Sequence, residues 1–259
     1  MLHYYVYENS LSDQWVTFVH GAGGSSSIWF KQIRDFRKEF NVLLVDLRGH
    51  GNSKETSGNS KRYTFSALAD DILEVLDFLK ITKSHFVGIS LGTILIRQLA
   101  EAHPHRVQSM VMGGAILKLN LRSQLLIKLG NFFKYVLPYL FLYRFFAFVI
   151  MPKRNHRQSR ALFVQEAKKM NQSEFLKWFK LTNDVNALLK CFREKEIVIE
   201  TLYIMGEEDY MFLPPVINVV SSHNQSTRLI VISRSGHVVN VDQPSFFNEA
   251  VLAFLNDIK

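Results

Sequence analysis

The run Gly88-Ile89-Ser90-Leu91-Gly92 carries the plainest chemistry in this sequence. His85-Phe86-Val87 before it reads as the tail of a buried strand. Thr93 to His103 after it carries a helical pattern that Pro104 stops. A strand that turns into a helix within one or two residues forces strained backbone angles on the central serine. Flanking glycines leave room for chains that pass close by. Such a turn holds the Ser90 hydroxyl clear of the backbone and aims the first N–H groups of the helix at whatever Ser90 attacks. A serine in an ordinary strand-to-helix connection is the plainer alternative. Agreement between the motif and its context favours a nucleophile elbow.

A serine hydroxyl is a weak nucleophile until a base takes its proton during attack. An imidazole, with a pKa near neutrality, can accept that proton and later return it to the leaving group. A carboxylate beside the imidazole fixes its tautomer and stabilises the cation that forms. The sequence must therefore supply a histidine and an acid from elements far from Ser90.

Strand, Gly-x-Ser-x-Gly and helix together resemble the α/β-hydrolase superfamily, in its lipase/esterase-like branch with a helical cap. The resemblance covers nearly the whole chain except the segment between about Lys118 and Lys195. It implies an α/β fold with a mostly parallel central sheet flanked by helices. The core would comprise residues 1–117 and 196–259, with an inserted helical cap, or lid, at 118–195.

In the family the N–H after a His-Gly pair joins the N–H after the nucleophile to form the oxyanion hole. His20-Gly21-Ala22-Gly23-Gly24 supplies that pair, so the resemblance implies Ala22 and Leu91. Two fixed donors of this kind can each lower the barrier by about 3–4 kcal/mol. The loop lacks both a dinucleotide fingerprint and a Lys-Ser/Thr ending, which argues against a phosphate cradle.

The family's acid follows a strand as Gly-x-x-Asp, which Gly206-Glu207-Glu208-Asp209 matches at Asp209. Glu207 and Glu208 compete by chemistry but miss the spacing. Its histidine follows the last strand as Gly-His, here Gly236-His237. The order Ser90, Asp209, His237 is the family's order. Asp46-Leu47-Arg48-Gly49-His50-Gly51-Asn52-Ser53 matches another family loop. His50 and Asp46 precede the nucleophile, so this loop is expected to be architectural. Many relatives carry a further glycine after the motif. Thr93 stands there instead, so packing beside the elbow must differ. An aspartate nucleophile would have implied dehalogenase or epoxide hydrolase chemistry, and Ser90 argues against both.

The elements that must position these residues can be read in order. Tyr4 to Glu8, Trp15 to Val19, Asn41 to Val45, Val107 to Met112, Glu200 to Met205 and Arg228 to Ile232 read as strands. Trp29 to Phe40, Phe65 to Leu79 and Phe246 to Ile258 read as helices, with Thr64 as the N-cap of the second.

At 259 residues and 47% hydrophobic, the chain fits one large domain with an insertion and excludes a disordered polymer. The single cysteine, Cys191, permits no internal disulfide. No secretory pattern opens the chain, so a cytoplasmic location is expected. Net charge is +8 and unevenly placed. Residues 118–195 hold 16 Lys/Arg and 4 Asp/Glu, leaving the remainder at −4.

The apolar run from Phe132 to Met151 has the length of a membrane span. Lys134, Pro138 and Arg144 argue instead for two shorter helices broken at Pro138. The densest basic stretch is Lys153 to Arg160. A solvated face is the ordinary reading of such a run, with a lipid interface or an anionic substrate as the others. No nucleic-acid module accompanies the charge, and the histidines show no metal spacing. Neither nucleic acid, metal nor cofactor is expected.

The leading expectation is a serine hydrolase of carboxylic esters, with an apolar part of a small-molecule substrate beneath the cap. As alternatives, the resemblance also admits carbon–carbon bond hydrolases, enol-lactonases and the menaquinone-pathway lyase, all on anionic substrates, and ligand sensors built on the same scaffold. Cap arginines reaching into the pocket would favour an anionic substrate. An apolar pocket would favour the ester.

Overall fold

The structure, a computed structural model, describes residues 1–53, 63–223 and 225–258. Its strands are β1 (Tyr4–Tyr7), β2 (Trp15–Val19), β3 (Asn41–Val45), β4 (Ser84–Ile89), β5 (Val107–Gly113), β6 (Thr201–Gly206) and β7 (Thr227–Ile232). They form one sheet in the order β1-β3-β2-β4-β5-β6-β7. β1 runs antiparallel to β3, and the other pairs are parallel. The inner strands β3, β4 and β6 are buried at every residue, as strands covered on both faces must be. The edge strand β7 is half exposed.

Helices cover both faces. The α-helices are α1 (Phe30–Phe36), α2 (Phe65–Phe78), α3 (Leu91–Ala102), α4 (Leu121–Phe133), α5 (Tyr139–Ile150), α6 (Arg157–Ala167), α7 (Gln172–Lys180), α8 (Val185–Glu194), α9 (Leu213–Ser222), α10 (Val239–Asp242) and α11 (Pro244–Asn256). On one face Leu68, Ile72 and Leu76 of α2 and Leu95 and Leu99 of α3 share a core with Val216 and Val219 of α9. On the other, Trp29 and Phe36 pack with Phe247, Val251 and Leu255 of α11. Thr64 caps α2 by accepting the Ala67 N–H at 3.1 Å, as its sequence position implies.

One helix is shorter than its sequence suggests. Trp29–Phe40 is not a single helix: a 3₁₀ turn at Ser26–Trp29 leads into α1, which ends at Phe36. The Asp46 carboxylate takes the Ser26 N–H at 2.7 Å and fixes the tight turn. At the far end the chain must drop to start β3, where the Asn41 N–H meets the Gln14 carbonyl at 2.8 Å.

Five helices, α4 to α8, lie between β5 and β6. The aromatic run divides where expected. Pro138 sits at the N-cap of α5, and α4 and α5 span 13 and 12 residues. Among the described residues no helix is long and apolar enough to cross a membrane. Leu142, Tyr143, Met170, Phe175 and Phe179 form a local core for this segment. Trp178, Leu181, Val185 and Leu189 join it to the main core.

Candidate active site

Ser90 stands between β4 and α3 with φ 55° and ψ −120°, a conformation that costs a non-glycine residue about 1–3 kcal/mol. Neighbouring bonds hold it there. The Ser90 N–H reaches the Gly113 carbonyl at 3.0 Å, and the Ser90 carbonyl accepts the Thr93 N–H at 3.0 Å. The Thr93 hydroxyl donates to the same carbonyl at 2.6 Å, so the residue that departs from the family glycine braces the elbow. Gly92 has to be glycine: a Cβ there would lie 2.2 Å from the Val19 carbonyl oxygen and 2.8 Å from that of His20.

The structure brings Ser90, His237 and Asp209 together. His237 follows β7, and its Nε2 lies 2.9 Å from the Ser90 hydroxyl. Its Nδ1 lies 2.7 Å from a carboxylate oxygen of Asp209, which follows β6. A carboxylate only accepts, so Nδ1 carries the proton and Nε2 is left to accept from Ser90. Asp209 and His237 are both buried, and the Phe212 ring lies 5.0 Å from the imidazole, centre to centre. The Asp209 carboxylate also accepts the Phe212 N–H at 3.3 Å. Glu207 and Glu208, the nearby carboxylates, do not meet His237.

Ala22 and Leu91 border the same space. Both line a cavity of about 270 Å³ with Ser90 and His237. Neither backbone N–H has a partner among the described residues. The loop lies close on the serine: a Cβ on Gly21 would sit 3.1 Å from the Ser90 Cβ.

The loop Asp46–Ser53 supports that arrangement from beneath and takes no part in the Ser90 relay. His50 Nε2 accepts the Gly23 N–H at 2.9 Å, while His50 Nδ1 donates to the Arg48 carbonyl at 3.0 Å. His20 donates from Nδ1 to the Gly21 carbonyl at 2.8 Å and accepts the Leu47 N–H at Nε2, at 3.0 Å. Burial pushes both imidazoles down, and for His50 burial and then its neighbour His20 bring the value to about 3. Both are neutral props with fixed tautomers. Arg48 is held beneath by a buried pair with Asp71, at 2.7 and 2.8 Å.

The helices between β5 and β6 roof the cavity. Tyr143, Phe146, Phe163, Phe175, Trp178 and Phe179 face into it, with Leu126 and Met211 beside them. Ser27, Ser90, Ser123, Thr182, Glu166 and His237 are its polar lining, and no Lys or Arg lines it among the described residues. The sixteen basic residues of residues 118–195 point elsewhere.

Several contacts that sequence spacing did not signal fasten this roof to the loops beneath. The Trp178 indole N–H donates to the Arg48 carbonyl at 2.9 Å. Glu166 of α6, buried, accepts the Ser25 hydroxyl at 2.6 Å. Glu208, next to Asp209, pairs with Lys153 at 2.9 Å and His156 at 2.8 Å and accepts Asn155 at 2.8 Å. Burial alone would raise the Glu208 pKa, and these three donors together hold it below its usual value. Asp242 accepts the Ser159 hydroxyl at 2.6 Å and the N–H of Gly236, next to His237, at 2.8 Å. The basic run Lys153–Arg160 is therefore not wholly a solvated face. Lys153, Asn155, His156 and Ser159 grip the loops that carry Asp209 and His237, while Arg154 and Arg157 remain exposed.

The strand-elbow-helix unit and its two supporting loops sit in a fold with many counterparts. A family model described as alpha/beta hydrolase fold matches residues 14–244 and runs through the inserted helices as well as the core. The chain belongs to this family. Relatives include an uncharacterized carboxylesterase, nap, of Bacillus subtilis (strain 168). It is 25% identical over 252 residues, covering 93% of this chain and 79% of that one. A putative carbamate hydrolase, RutD, of Rhizobium rhizogenes (strain K84) is 28% identical over 252 residues, covering 91% and 90%. MenH from S. aureus shares the fold with a TM-score of 0.81 at 19% identity, covering 100% of this chain and 99% of that one.

Proposed function

We propose that this hydrolase cleaves carboxylic esters that carry an apolar acyl or alcohol part, through an acyl-enzyme on Ser90. One observation carries the reading: the Ser90–His237–Asp209 relay, with hydrogen bonds of 2.9 and 2.7 Å, opens into an aromatic cavity without a cationic side chain among the described residues. Residues 118–195 act in this reading as a cap on the core formed by 1–117 and 196–259.

His237 Nε2 takes the Ser90 proton as the oxygen attacks the ester carbonyl. The Ala22 and Leu91 N–H groups receive the oxyanion, and the N-terminal end of α3 adds its positive potential. Asp209 stabilises the imidazolium. His237 then protonates the leaving alkoxide, and water cleaves the acyl-enzyme by the same relay run in reverse.

An anionic substrate would have to place its charge against aromatic and aliphatic walls, which costs several kcal/mol without a partner. That weighs against carbon–carbon bond hydrolase, enol-lactonase and lyase chemistry. A volume of about 270 Å³ falls just below the usual range for drug-sized ligands, which favours short to medium chains. The carbamates named for one relative present the same kind of carbonyl and belong in the same assay.

The test is labelling with a fluorophosphonate probe, followed by p-nitrophenyl esters of increasing chain length beside carbamates, lactones and carbon–carbon substrates. Labelling and ester turnover should both vanish in Ser90→Ala. Turnover that survives in Ser90→Ala, or a preference for anionic carbon–carbon substrates, would overturn the reading.

A further inference from the structure

Helix α5 has two faces of opposite use. Tyr143, Phe146 and Ile150 line the cavity. Phe141, Arg144, Phe145 and Phe148, at helical spacing on another face, are exposed, with the three phenylalanines 58%, 41% and 61% accessible. Tyr135 and Val136, in the turn that leads into α5, are 70% and 77% accessible. Water disfavours so many neighbouring apolar side chains, and a cluster of this kind marks a docking surface.

The charge beside this stripe says what docks there. An open groove of about 680 Å³ runs between α5 and α6, lined by Arg144, Arg157, Arg160 and Lys168 with Phe148 among them, and by no carboxylate. Arg160 lies over the Phe148 ring at 6.0 Å and also donates to the Met151 and Lys153 carbonyls. Arg144, Arg157 and Lys168 have no carboxylate partner among the described residues. Two of the four acids in residues 118–195, Glu166 and Glu174, are buried and already paired with Lys169 and Lys177. They cannot neutralise the outer face. Free phosphate would need the cations but not the exposed rings. An apolar protein partner would need the rings but not an acid-free groove. A bilayer with anionic headgroups matches both, because rings enter the headgroup–acyl boundary while cations meet the phosphates.

We propose that the outer face of α5, with the groove it forms against α6, docks on an anionic lipid bilayer. The surface places the roof of the cavity against the membrane.

The test uses the purified full chain and vesicles of phosphatidylcholine alone or mixed in equal parts with phosphatidylglycerol, read by co-sedimentation. The chain should bind the mixed vesicles, bind phosphatidylcholine alone far less, and weaken as salt is added. Arg144→Ala and Arg157→Ala should each weaken binding about fivefold. Phe141→Ser, Phe145→Ser and Phe148→Ser combined should abolish it, with fold checked by circular dichroism and thermal melting. Phe145→Trp should show blue-shifted emission on mixed vesicles. Absence of binding to mixed vesicles at low salt overturns the proposal, as does binding indifferent to these substitutions. So does release by inorganic phosphate without any emission shift, which would mark a phosphate groove. A dimer in solution that the triple serine variant dissolves would assign the face to a second copy and overturn it too. Partitioning is independent of Ser90 chemistry, so this proposal and the ester reading fail separately.

Discussion

Replacing His50 with glutamine should flatten the acid side of the stability curve. In the fold the His50 ring is 2% exposed, accepts the Gly23 N–H at Nε2 and donates from Nδ1. A second proton on Nε2 would face that N–H, and burial beside His20 holds the pKa at about 3, against 6.5 for a free imidazole. The unfolded chain takes up this proton below about pH 6.5, whereas the folded chain resists it down to about pH 3. The stabilising effect of a neutral His50 is therefore complete above pH 6.5 and is lost progressively as pH falls toward 3. Each proton bound only by the unfolded state costs about 1.4 kcal/mol per pH unit. Between about pH 6.5 and 4.5 His50 alone removes roughly 2 kcal/mol, a sizeable share of a total of about 5–15 kcal/mol. His20, lowered in the same direction, adds to the slope.

Glutamine retains an acceptor and a donor but does not titrate. Urea unfolding across this pH range is the assay. His50→Gln should start about 1–2 kcal/mol less stable at neutral pH, because its groups fit less well. Its acid slope should be shallower by about one proton. Parallel slopes for the two proteins would refute the reasoning, since the protonation would then lie elsewhere.

Three further substitutions test other joints. Gly92→Ala should destabilise by about 2–3 kcal/mol in urea unfolding, although helix propensity alone favours alanine by about 1 kcal/mol; a stabilised variant contradicts the close approach of the Val19 carbonyl. Trp178→Phe leaves the Arg48 carbonyl without its buried donor and should cost about 1–2 kcal/mol, lowering Tm by several degrees in calorimetry. Its KM for aromatic esters should shift as well, because the ring lines the cavity. Glu208→Gln removes the charge that holds Lys153 and His156, so hydrogen exchange should quicken around Arg157 and Gly236; unchanged exchange there would mean the grip is unimportant.

Local order made much of the fold legible. Buried parallel strands announce themselves as nearly unbroken apolar runs, and β2 and β3 were readable for that reason. The elbow was readable because strand, glycines and helix occur within a few residues. Asp209 and His237 could be named through family spacing, and the structure brings both to Ser90. The grip of Lys153, His156 and Ser159 on the Glu208 and Asp242 loops was not legible. It joins residues more than 50 apart in sequence, and nothing in their spacing marks it. The end of α1 was not legible, because helical periodicity continues past Phe36, while the Asn41–Gln14 bond fixes where β3 must begin.

The elbow lies at the end of β4 and the imidazole beyond β7, a separation of 147 residues. At ribosomal rates of about 5–20 residues per second, Ser90 emerges roughly 7–30 s before His237. On the proposed mechanism, the nascent chain would carry its nucleophile through that interval with nothing to deprotonate it. On that proposal, reactivity would wait for the edge strand to pair with β6, and acquisition of probe labelling would report that pairing.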